Sequence, residues 1–586
     1  MKALLSLVPY LKRYKRTLIF GFVTVLMSNI FTVVQPFVIG RAIDSLEQGL
    51  AAGEMDESAL LGFAGMIIGF SLIAGIFTYL TRQTIIVVSR HVEYDLRNDY
   101  LSHLQKLPLQ FFQVTPTGDL MAHATNDISA VRSTLGPGIM YPADTFITFT
   151  MVLAIMLSTD WQLTLLALVP LPFVSYAVYR LGKIVHKKFR ERQEQYSLLT
   201  TKAQENLSGI RVVRAYVREK FETVAFRAMS HDYLLKNLYL ARVQSIMWPA
   251  MYLLVGFSMI ITLYVGGLRV IDGALTVGTL TAFFGYLLML IWPMVAFGWV
   301  INILQQGSAS MERLLRIIET APSIQDSGRT DSGLAEIRGS IEFRDVHFRH
   351  EGADADTLAG INLTVPRGST LAIVGYTGAG KTTLVNLIPR LYEATGGEVL
   401  IDGRDIRTVP IDLLRSRVGY VPQETFLFSD TIAANIGYGV DEPGEQGIRE
   451  AAEISQILND VTEFPKEFET MVGERGITLS GGQKQRTSIA RAVMRKPAIL
   501  ILDDALSAVD TYTEEEILKR LRTVMKERTS IIISHRISTV KDADQIIVLN
   551  DGRIVEQGTH QQLLETDGIY AELNRKQLLE KELEQL

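Results

Sequence analysis

Cysteine is absent from the 586 residues of this chain. Disulfide bonds and cysteine-ligated zinc or iron–sulfur centres are therefore excluded. An excess of basic residues is also absent, because the formal net charge is −5. This balance argues against a nucleic-acid-binding surface. We expect no cleavable signal sequence, since the first apolar run begins only after a basic cluster at residues 12–16.

Long apolar runs dominate the first half of the chain. Hydrophobic residues make up 48% of the sequence. Six runs are long enough to cross a bilayer, and they cover residues 17–40, 60–80, 139–158, 163–181, 246–270 and 275–304. Methionine and aromatic side chains are frequent in the last two runs, which suits a pocket for varied apolar cargo, although packing and lipid contact are the favoured explanation for any single one of them. They are Met247, Trp248, Met251, Tyr252, Met259, Phe283, Phe284, Tyr286, Met289, Trp292 and Phe297.

The charges of the connections predict the orientation of these spans. The N-terminus and the second and fourth connections are rich in Lys and Arg, whereas the first connection carries Glu47, Glu54, Asp56 and Glu57. Because basic segments stay in the cytoplasm, both termini are expected inside. The segments 88–107 and 183–237 have continuous helical patterns, so we expect the spanning helices to extend beyond the membrane; independent soluble hairpins are the alternative. Two ionisable residues, Arg82 and Asp144, fall near predicted span boundaries, where we expect them to be interfacial.

The character of the chain changes after residue 318. Residues 319–340 are polar, contain Pro322, Gly328 and Gly333, and are typical of a linker. From residue 341 onward, strands are predicted to alternate with helices, which indicates an α/β nucleotide-binding domain with a largely parallel core. The predicted strands cover residues 341–348, 361–365, 370–374, 398–401, 418–421, 498–502, 530–533 and 545–549. The fold class is therefore multi-domain: an all-α transmembrane domain of six helices (1–318), a linker (319–340) and an α/β P-loop domain (341–586).

A phosphate-binding loop follows the third of these strands. The pattern G-x-x-x-x-G-K-[ST] lies between a strand-like and a helix-like run, which is the context that the motif requires. Its backbone N–H groups would cradle phosphates, Lys381 would neutralise them, and the Thr382 hydroxyl would bind Mg²⁺. A glycine-rich turn without function is the alternative. The predicted ATP-binding residues of the loop are Gly375, Tyr376, Thr377, Gly378, Ala379, Gly380, Lys381, Thr382 and Thr383.

Further motifs follow in a fixed order. Gln423 ends the run GYVPQ, LSGGQKQR begins at Leu479, and an apolar strand ends in Asp503-Asp504. Ser507-Ala508-Val509-Asp510 and Ser534-His535-Arg536 come after it. Together with the phosphate loop, these motifs resemble the ATP-binding cassette (ABC) transporter family, and the six-span half resembles its exporter-type half-transporters of the multidrug and lipid-export kind. The resemblance covers essentially the whole chain.

The resemblance implies a role for each motif. ATP and Mg²⁺ are the expected cofactors, with Thr382, Gln423 and Asp503 at the metal. Asp504, His535 and Gln423 would act on the γ-phosphate and the attacking water, and Asp510 would couple two ATP sites. The signature would contact ATP held by a second half-transporter, through Leu479, Ser480, Gly481, Gly482 and Gln483. Segments 111–127 and 209–216 resemble the two cytoplasmic coupling segments of the family.

Two positions depart from the family pattern. The residue after Asp503 is usually Glu, whereas this chain has Asp504, which is one methylene shorter. Because a displacement of about 1 Å costs about a hundredfold in rate, the ATP site of this chain is expected to be slow, unless the backbone shifts to compensate. Asp504 beside an intact signature resembles the degenerate-site subunit of heterodimeric bacterial exporters. His350 also stands where a stacking aromatic, usually Tyr, is expected, so we expect weaker contact with adenine.

These observations predict a subunit of an ATP-driven exporter in the bacterial cytoplasmic (inner) membrane. Its cargo would be a hydrophobic small molecule or lipid, and the protein itself would be surrounded by membrane lipid. Its partner would be a second ABC half-transporter, with a heterodimer favoured over a homodimer, and no nucleic acid is expected. The alternative is an ATP-gated channel or a regulatory subunit with little hydrolysis of its own. An importer subunit fits less well, since importers usually keep membrane and ATP domains on separate chains.

Overall fold

The computed structural model of the chain describes residues 2–52 and 57–584. Two acidic residues of the first connection, Glu54 and Asp56, lie outside these ranges. Four side chains of the predicted cargo set are also outside the description, although their backbone is included: Met247, Trp248, Met251 and Phe297. The described residues fall into two compact units. One unit comprises Met1–Leu104 and Gly118–Glu319, and the other comprises Gln105–Thr117 and Thr320–Leu586. The short segment Gln105–Thr117 therefore packs with the second unit, although it precedes the predicted boundary at residue 318.

The first unit is helical throughout its described part. Residues 123–127 and 82–86 form single π-turns that join helices end to end. The α-helices up to residue 318 are α1 (Val8–Arg13), α2 (Lys15–Val33), α3 (Gln35–Ala52), α4 (Glu57–Thr81), α5 (Val87–Leu104), α6 (Leu109–Val114), α7 (Thr117–Ala122), α8 (Ile128–Leu135), α9 (Pro137–Thr159), α10 (Trp161–Leu168), α11 (Leu171–Ser208), α12 (Ile210–Ala215), α13 (Glu219–Ile271), α14 (Val277–Met289) and α15 (Ile291–Ile318).

Four helical stretches of the described residues are long and apolar enough to cross a membrane. They are Lys15–Ala52, Glu57–Leu104, Thr117–Thr159 and Val277–Ile318, and Val255–Ile271 is a shorter apolar stretch. The first, second, third and sixth predicted spans lie within the four long stretches. The fourth predicted span is divided between α10 and α11, and the fifth lies within α13. The crossing of a membrane by these last two stays a prediction.

The extended helices differ in one respect from the sequence prediction. The charged run before the fifth span and the span itself form one helix of 53 residues, α13, as expected. However, the predicted continuous helix over 183–237 is wrong, because the chain breaks at Gly209 and again at Val217, whose φ is +53°. The two long helices on either side pack together, with Gln195 Nε2 donating to the Met229 carbonyl (3.2 Å) and Lys236 Nζ to Gln195 Oε1 (2.9 Å).

Packing explains part of the methionine and aromatic set in the spans. Phe283 and Tyr286 of α14 are 1% and 3% exposed and belong to an apolar core with Val33, Val152 and Met156. Asp144 lies on α9 against Asn29, which is in the middle of the first predicted span. This contact favours a deeper position than the interfacial one expected from the sequence, and the depth of Asp144 in a membrane stays a prediction.

The second unit contains two sheets. The strands are β1 (Ile341–Phe348), β2 (Leu358–Val365), β3 (Thr370–Val374), β4 (Gly396–Ile401), β5 (Arg404–Asp405), β6 (Val418–Val421), β7 (Ile499–Asp503), β8 (Thr529–Ile533), β9 (Gln545–Asn550) and β10 (Arg553–Gly558). Its helices after residue 340 are α16 (Lys381–Asn386), α17 (Ile411–Ser416), α18 (Ile432–Gly437), α19 (Glu445–Ile454), α20 (Leu458–Glu463), α21 (Gly481–Met494), α22 (Thr511–Met525), α23 (Ile537–Val540), α24 (His560–Glu565) and α25 (Ile569–Glu584).

The larger sheet confirms the predicted parallel core. Its order is β10-β9-β3-β8-β7-β6, and every neighbouring pair is parallel except β10 with β9. The smaller sheet, β2-β1-β4-β5, is antiparallel and was not predicted as a separate sheet. Strands β7 and β8 are buried at every position, as expected for central strands with both faces covered.

Candidate nucleotide site

The parallel order of the large sheet places four motifs on one edge. The phosphate loop follows β3, His535 follows β8, Asp503 ends β7, and Gln423 follows β6. The registers pair Ile373 with Ile533, Asp503 with Ile533, and Val421 with Leu502, so the four strands end at nearly the same level. Neighbouring strands lie about 4.8 Å apart. The structure therefore brings together motifs that are separated by up to 160 residues in the sequence.

Glycine is required at both ends of the phosphate loop. Gly375 has a φ of +148° and Gly380 a φ of +97°. A Cβ atom on Gly375 would lie 2.1 Å from the Leu549 carbonyl oxygen, and one on Gly380 would lie 2.9 Å from the Thr357 carbonyl oxygen. No side chain fits at the first position without moving the backbone. The loop then passes directly into α16, which begins at Lys381.

Lys381 is folded back onto the loop. The residue is 8% exposed, and its Nζ donates to the carbonyl oxygens of Gly375 (2.9 Å) and Tyr376 (2.8 Å). Burial lowers the pKa of Lys381, and the nearby charges of Asp503 and Asp504 oppose that shift. A buried ammonium group with two neutral acceptors is well placed to gain from an anionic phosphate.

Asp503 has one carboxylate oxygen that nothing satisfies. The residue is 1% exposed, and its Oδ2 atom has no hydrogen-bond partner among the described residues. Burial raises the pKa of Asp503, whereas the adjacent Thr382 hydroxyl, Lys381 and His535 lower it. A buried carboxylate oxygen beside a threonine hydroxyl is a donor set that Mg²⁺ accepts. The residues present therefore fit the predicted metal.

The backbone of Asp504 is held from both sides. Its φ is +49°, its N–H donates to the Ile533 carbonyl (2.9 Å), and its own carbonyl accepts from Ser507 Oγ (2.9 Å). Gln485 Nε2 adds a longer contact to the same carbonyl (3.4 Å) and donates to Ser507 Oγ (3.0 Å). Gln485 also accepts from the Ala508 N–H (2.9 Å). Sequence reasoning quoted Gln485 within its motif but assigned it no role.

The signature opens a helix. Helix α21 begins at Gly481, and Ser480 caps it, since its Oγ accepts from the Gln483 N–H (3.3 Å) while Gln483 Oε1 accepts from the Ser480 N–H (3.0 Å). Gln483 Nε2 also donates to Asp460 (2.8 Å). Leu479 is buried at 7% exposure. The cap leaves the remaining N–H groups of the first turn without intrahelical partners.

Asp510 caps helix α22. Its carboxylate accepts from the Thr513 N–H (3.0 Å), and this bond lowers its pKa. Its predicted role between two ATP sites stays a prediction. Gln423 and His535 are both exposed at the sheet edge. The His535 segment is held by Gln577 of α25, whose Nε2 donates to the His535 carbonyl and whose Oε1 accepts from the Ile537 N–H (2.8 Å). Gln577 carries no sequence signal for this contact.

His350 lies in an aromatic group rather than alone. Its ring meets those of Phe348 (4.8 Å between centroids) and Tyr392 (5.5 Å) edge to face. Tyr392 is 5% exposed, so little of its ring is free to replace the missing tyrosine against a base. The Tyr392 hydroxyl accepts from Gln113 Nε2 (2.6 Å). Gln113 belongs to the first segment that resembles a coupling segment, and within the second unit it contacts this aromatic group.

A helical membrane domain followed by a P-loop domain with this order of motifs defines a class of ATP-dependent membrane proteins. Family profiles described as "ABC transporter transmembrane region" and "ABC transporter" match residues 18–294 and 358–507. The chain is 38% identical over 571 residues to the probable multidrug resistance ABC transporter ATP-binding/permease protein YheI of Bacillus subtilis (strain 168), covering 97% of both chains. It therefore belongs to the ABC transporter family.

Other relatives agree with this assignment. The chain is 35% identical to the multidrug resistance-like ATP-binding protein MdlA of Escherichia coli (strain K12), covering 100% of this chain and 98% of that protein. It is 37% identical to the ATP-dependent lipid A-core flippase of Syntrophus aciditrophicus (strain SB), covering 88% and 85%. The structure of a bacterial Atm1-family ABC exporter with ATP bound superimposes with a TM-score of 0.79 at 30% identity, covering 96% and 98%. The chain is thus an integral membrane protein with an exporter fold.

Proposed function

We propose that the chain is a subunit of an ATP-driven exporter that moves hydrophobic compounds, drugs or lipids, out of the cytoplasm or the inner leaflet. It resides in the cytoplasmic (inner) membrane of a bacterium, with both termini and the nucleotide domain inside. Support comes from the relatives, whose names state multidrug resistance and lipid A-core flipping. The domain limits are 1–318 for the transmembrane domain, 319–340 for the linker and 341–586 for the nucleotide-binding domain.

ATP is held on the sheet edge by the phosphate loop. The loop N–H groups and Lys381 bind the phosphates, and His350 lies against the base. Thr382, Asp503 and Gln423 would hold Mg²⁺. The bound ion would supply positive charge against the negative charge that develops on the phosphates. Supporting this assignment, Asp503 keeps an unsatisfied buried oxygen beside the Thr382 hydroxyl.

Catalysis at this site depends on Asp504 and His535. Asp504 orients the attacking water, and His535 contacts the γ-phosphate. The carboxylate of Asp504 falls short of the reach of a glutamate by one methylene. Because its N–H and carbonyl are both hydrogen-bonded, the backbone does not move forward to compensate. The site built on this phosphate loop is therefore slow. The short side chain of Asp504 on a tied backbone is the observation that supports a difference in rate between the two ATP sites.

The chain works as a heterodimer with a catalytically complete half-transporter. Its own signature, from Leu479 to Gln483, has the full pattern and serves the ATP held by the partner half-transporter. The capped helix α21 presents N–H groups of its first turn to the γ-phosphate. Asp510 couples the two sites. A chain with a weak site and a complete signature suits a pair in which the other half supplies the glutamate.

Transport in inside-out vesicles tests the function. Vesicles from cells that express the chain with its natural neighbours are given rhodamine 6G or a fluorescent nitrobenzoxadiazole-labelled phospholipid. ATP should drive accumulation of a probe beyond equilibrium, or its movement to the lumenal leaflet, and Lys381→Ala in this chain should weaken it. ATP-dependent release that only dissipates a gradient would instead favour the ATP-gated channel. No ATP-dependent movement of either probe would contradict the proposal.

A further inference from the structure

A carboxylate is held between α2 and α9, against the middle of the first predicted span. Asn29 of α2 is 4% exposed, and its Nδ2 donates to Asp144 Oδ1 (2.8 Å). Thr148, one turn after Asp144 on α9, donates to Asn29 Oδ1. The Asn29 amide also donates to the Val25 carbonyl (3.0 Å). Asn29 is therefore used on every side and fixes the position of the Asp144 carboxylate.

This carboxylate has no cation beside it. Among the described residues, no Lys, Arg or His side chain forms an ion pair with Asp144. The side chain is only partly covered. An ionisable group at the centre of a bilayer is costly, and such groups usually have a functional partner. One amide hydrogen bond does not neutralise a charge, so the arrangement lacks a positive group.

Tyr141 shares a helix face with this carboxylate, and its ring contacts two tryptophan rings of α15. Tyr141 precedes Asp144 by three residues on α9, so the two side chains share one helix face. Its ring meets Trp299 of α15 at 5.0 Å and Trp292 at 6.4 Å between centroids. Trp299 is 44% exposed and Trp292 is 51% exposed. Tryptophan is the strongest side-chain partner for a cation over a ring face.

We propose that Asp144, Tyr141, Trp292 and Trp299 form a binding site for the cationic head of an amphiphilic cargo molecule. The carboxylate supplies the missing countercharge, and the half-exposed rings cover the apolar surface around the positive centre. This inference rests on the proposed export function and specifies the class of its cargo. A purely structural role, in which these hydrogen bonds join α2 to α9, would explain Asn29 and Thr148. It would not explain the carboxylate of Asp144 or the exposed faces of the two tryptophans.

Binding of two ions of matched shape and opposite charge tests the site. The purified full-length protein in lipid nanodiscs, without nucleotide, is titrated with tetraphenylphosphonium and with tetraphenylborate. Asp144→Asn should weaken tetraphenylphosphonium binding about tenfold and leave tetraphenylborate binding unchanged or stronger. Asp144→Glu keeps the charge and should stay within about threefold of the original protein. Asp272→Asn, at an exposed helix end, is the matched control and should change neither affinity.

A second variant protects the test against a folding defect. Trp299→Leu leaves the Asn29–Asp144 bond intact and should lower tetraphenylphosphonium affinity several-fold. Equal tetraphenylphosphonium affinity in Trp299→Leu, or in a folded Asp144→Asn protein, would overturn the inference. A lack of tetraphenylphosphonium binding by the original protein would overturn it as well. Because no ATP is present, these outcomes are independent of the transport assay, and Lys381→Ala should bind tetraphenylphosphonium normally.

Discussion

Lengthening one side chain should raise the rate of ATP hydrolysis at this chain's own site, which we propose to be slow. Asp504→Glu adds one carbon–carbon bond, about 1.5 Å of reach. The backbone of Asp504 is tied through its N–H to Ile533 and through its carbonyl to Ser507, so the added length is delivered to the carboxylate. A misplacement of about 1 Å costs about a hundredfold, which corresponds to about 2.7 kcal/mol of activation free energy. We therefore expect hydrolysis at this site to rise by up to about a hundredfold.

The assay uses the purified chain alone. In that sample every phosphate loop and every signature comes from this sequence, so Asp504 is the only departure at the site of chemistry. Single-turnover hydrolysis is measured with protein in excess over labelled ATP. Asp567→Glu is the control, because Asp567 has the same φ of +49° in a surface turn and experiences the same change of residue. Asp504→Asn keeps the size and removes the charge.

Two results would contradict a rate limited by the reach of Asp504. Rates of Asp504→Glu within twofold of the original, at equal ATP affinity, would show that reach does not limit the site. Robust, cooperative hydrolysis by the unaltered chain alone would show that Asp504 is sufficient. In the assembled transporter the gain should be smaller, since a weakened signature on the partner half-transporter would leave the γ-phosphate charge less well stabilised.

Substitutions at three further positions address other parts of the site. Lys381→Ala should lower photolabelling of this half by an ATP analogue while the other half stays labelled and partial hydrolysis continues; unchanged labelling of this half would refute the assignment. His350→Tyr should strengthen ATP binding by a few-fold, because a larger ring adds about 0.5–1.5 kcal/mol of stacking, and calorimetry with ATP and with inorganic triphosphate would detect a gain for ATP alone. Gln577→Leu, introduced into the Asp504→Glu protein, should lower kcat about tenfold with little change in KM, because the His535 segment loses its anchor. Gln577→Glu keeps the acceptor for the Ile537 N–H and should lower kcat less. Equal kcat in the Asp504→Glu protein and in both Gln577 variants of it would contradict the positioning role.

The strand–motif order of the nucleotide domain was predictable from the sequence, because apolar strands and short motifs are local signals. The parallel core was predicted. The small antiparallel sheet was not recognised as separate, since β5 has only two residues. Strand β10 of the large sheet was also missed, because its positions alternate between exposed and half-buried. The break at Val217 had no local signal either, because a β-branched residue rarely takes a positive φ.

Contacts between distant residues account for what the sequence missed in the site. Gln113 and Tyr392 are 279 positions apart, and Gln577 and His535 are 42 apart. The contact of Asp144 with Asn29, 115 residues away, became visible only in the structure. Side-chain pairs of this kind have no periodic signature in one sequence. The departure at Asp504 was visible, but the bonds that fix its backbone were not.

A comparison of two alanine variants tests the central asymmetry most directly. The transporter is purified through a tag on this chain, together with the half-transporter that accompanies it, and steady-state ATP hydrolysis is measured. Ser480→Ala should reduce turnover more than Asp504→Ala, because in the proposed heterodimer Ser480 serves the competent site and Asp504 lies in the slow one. If Asp504→Ala abolishes turnover while Ser480→Ala has no effect, the asymmetric account is wrong.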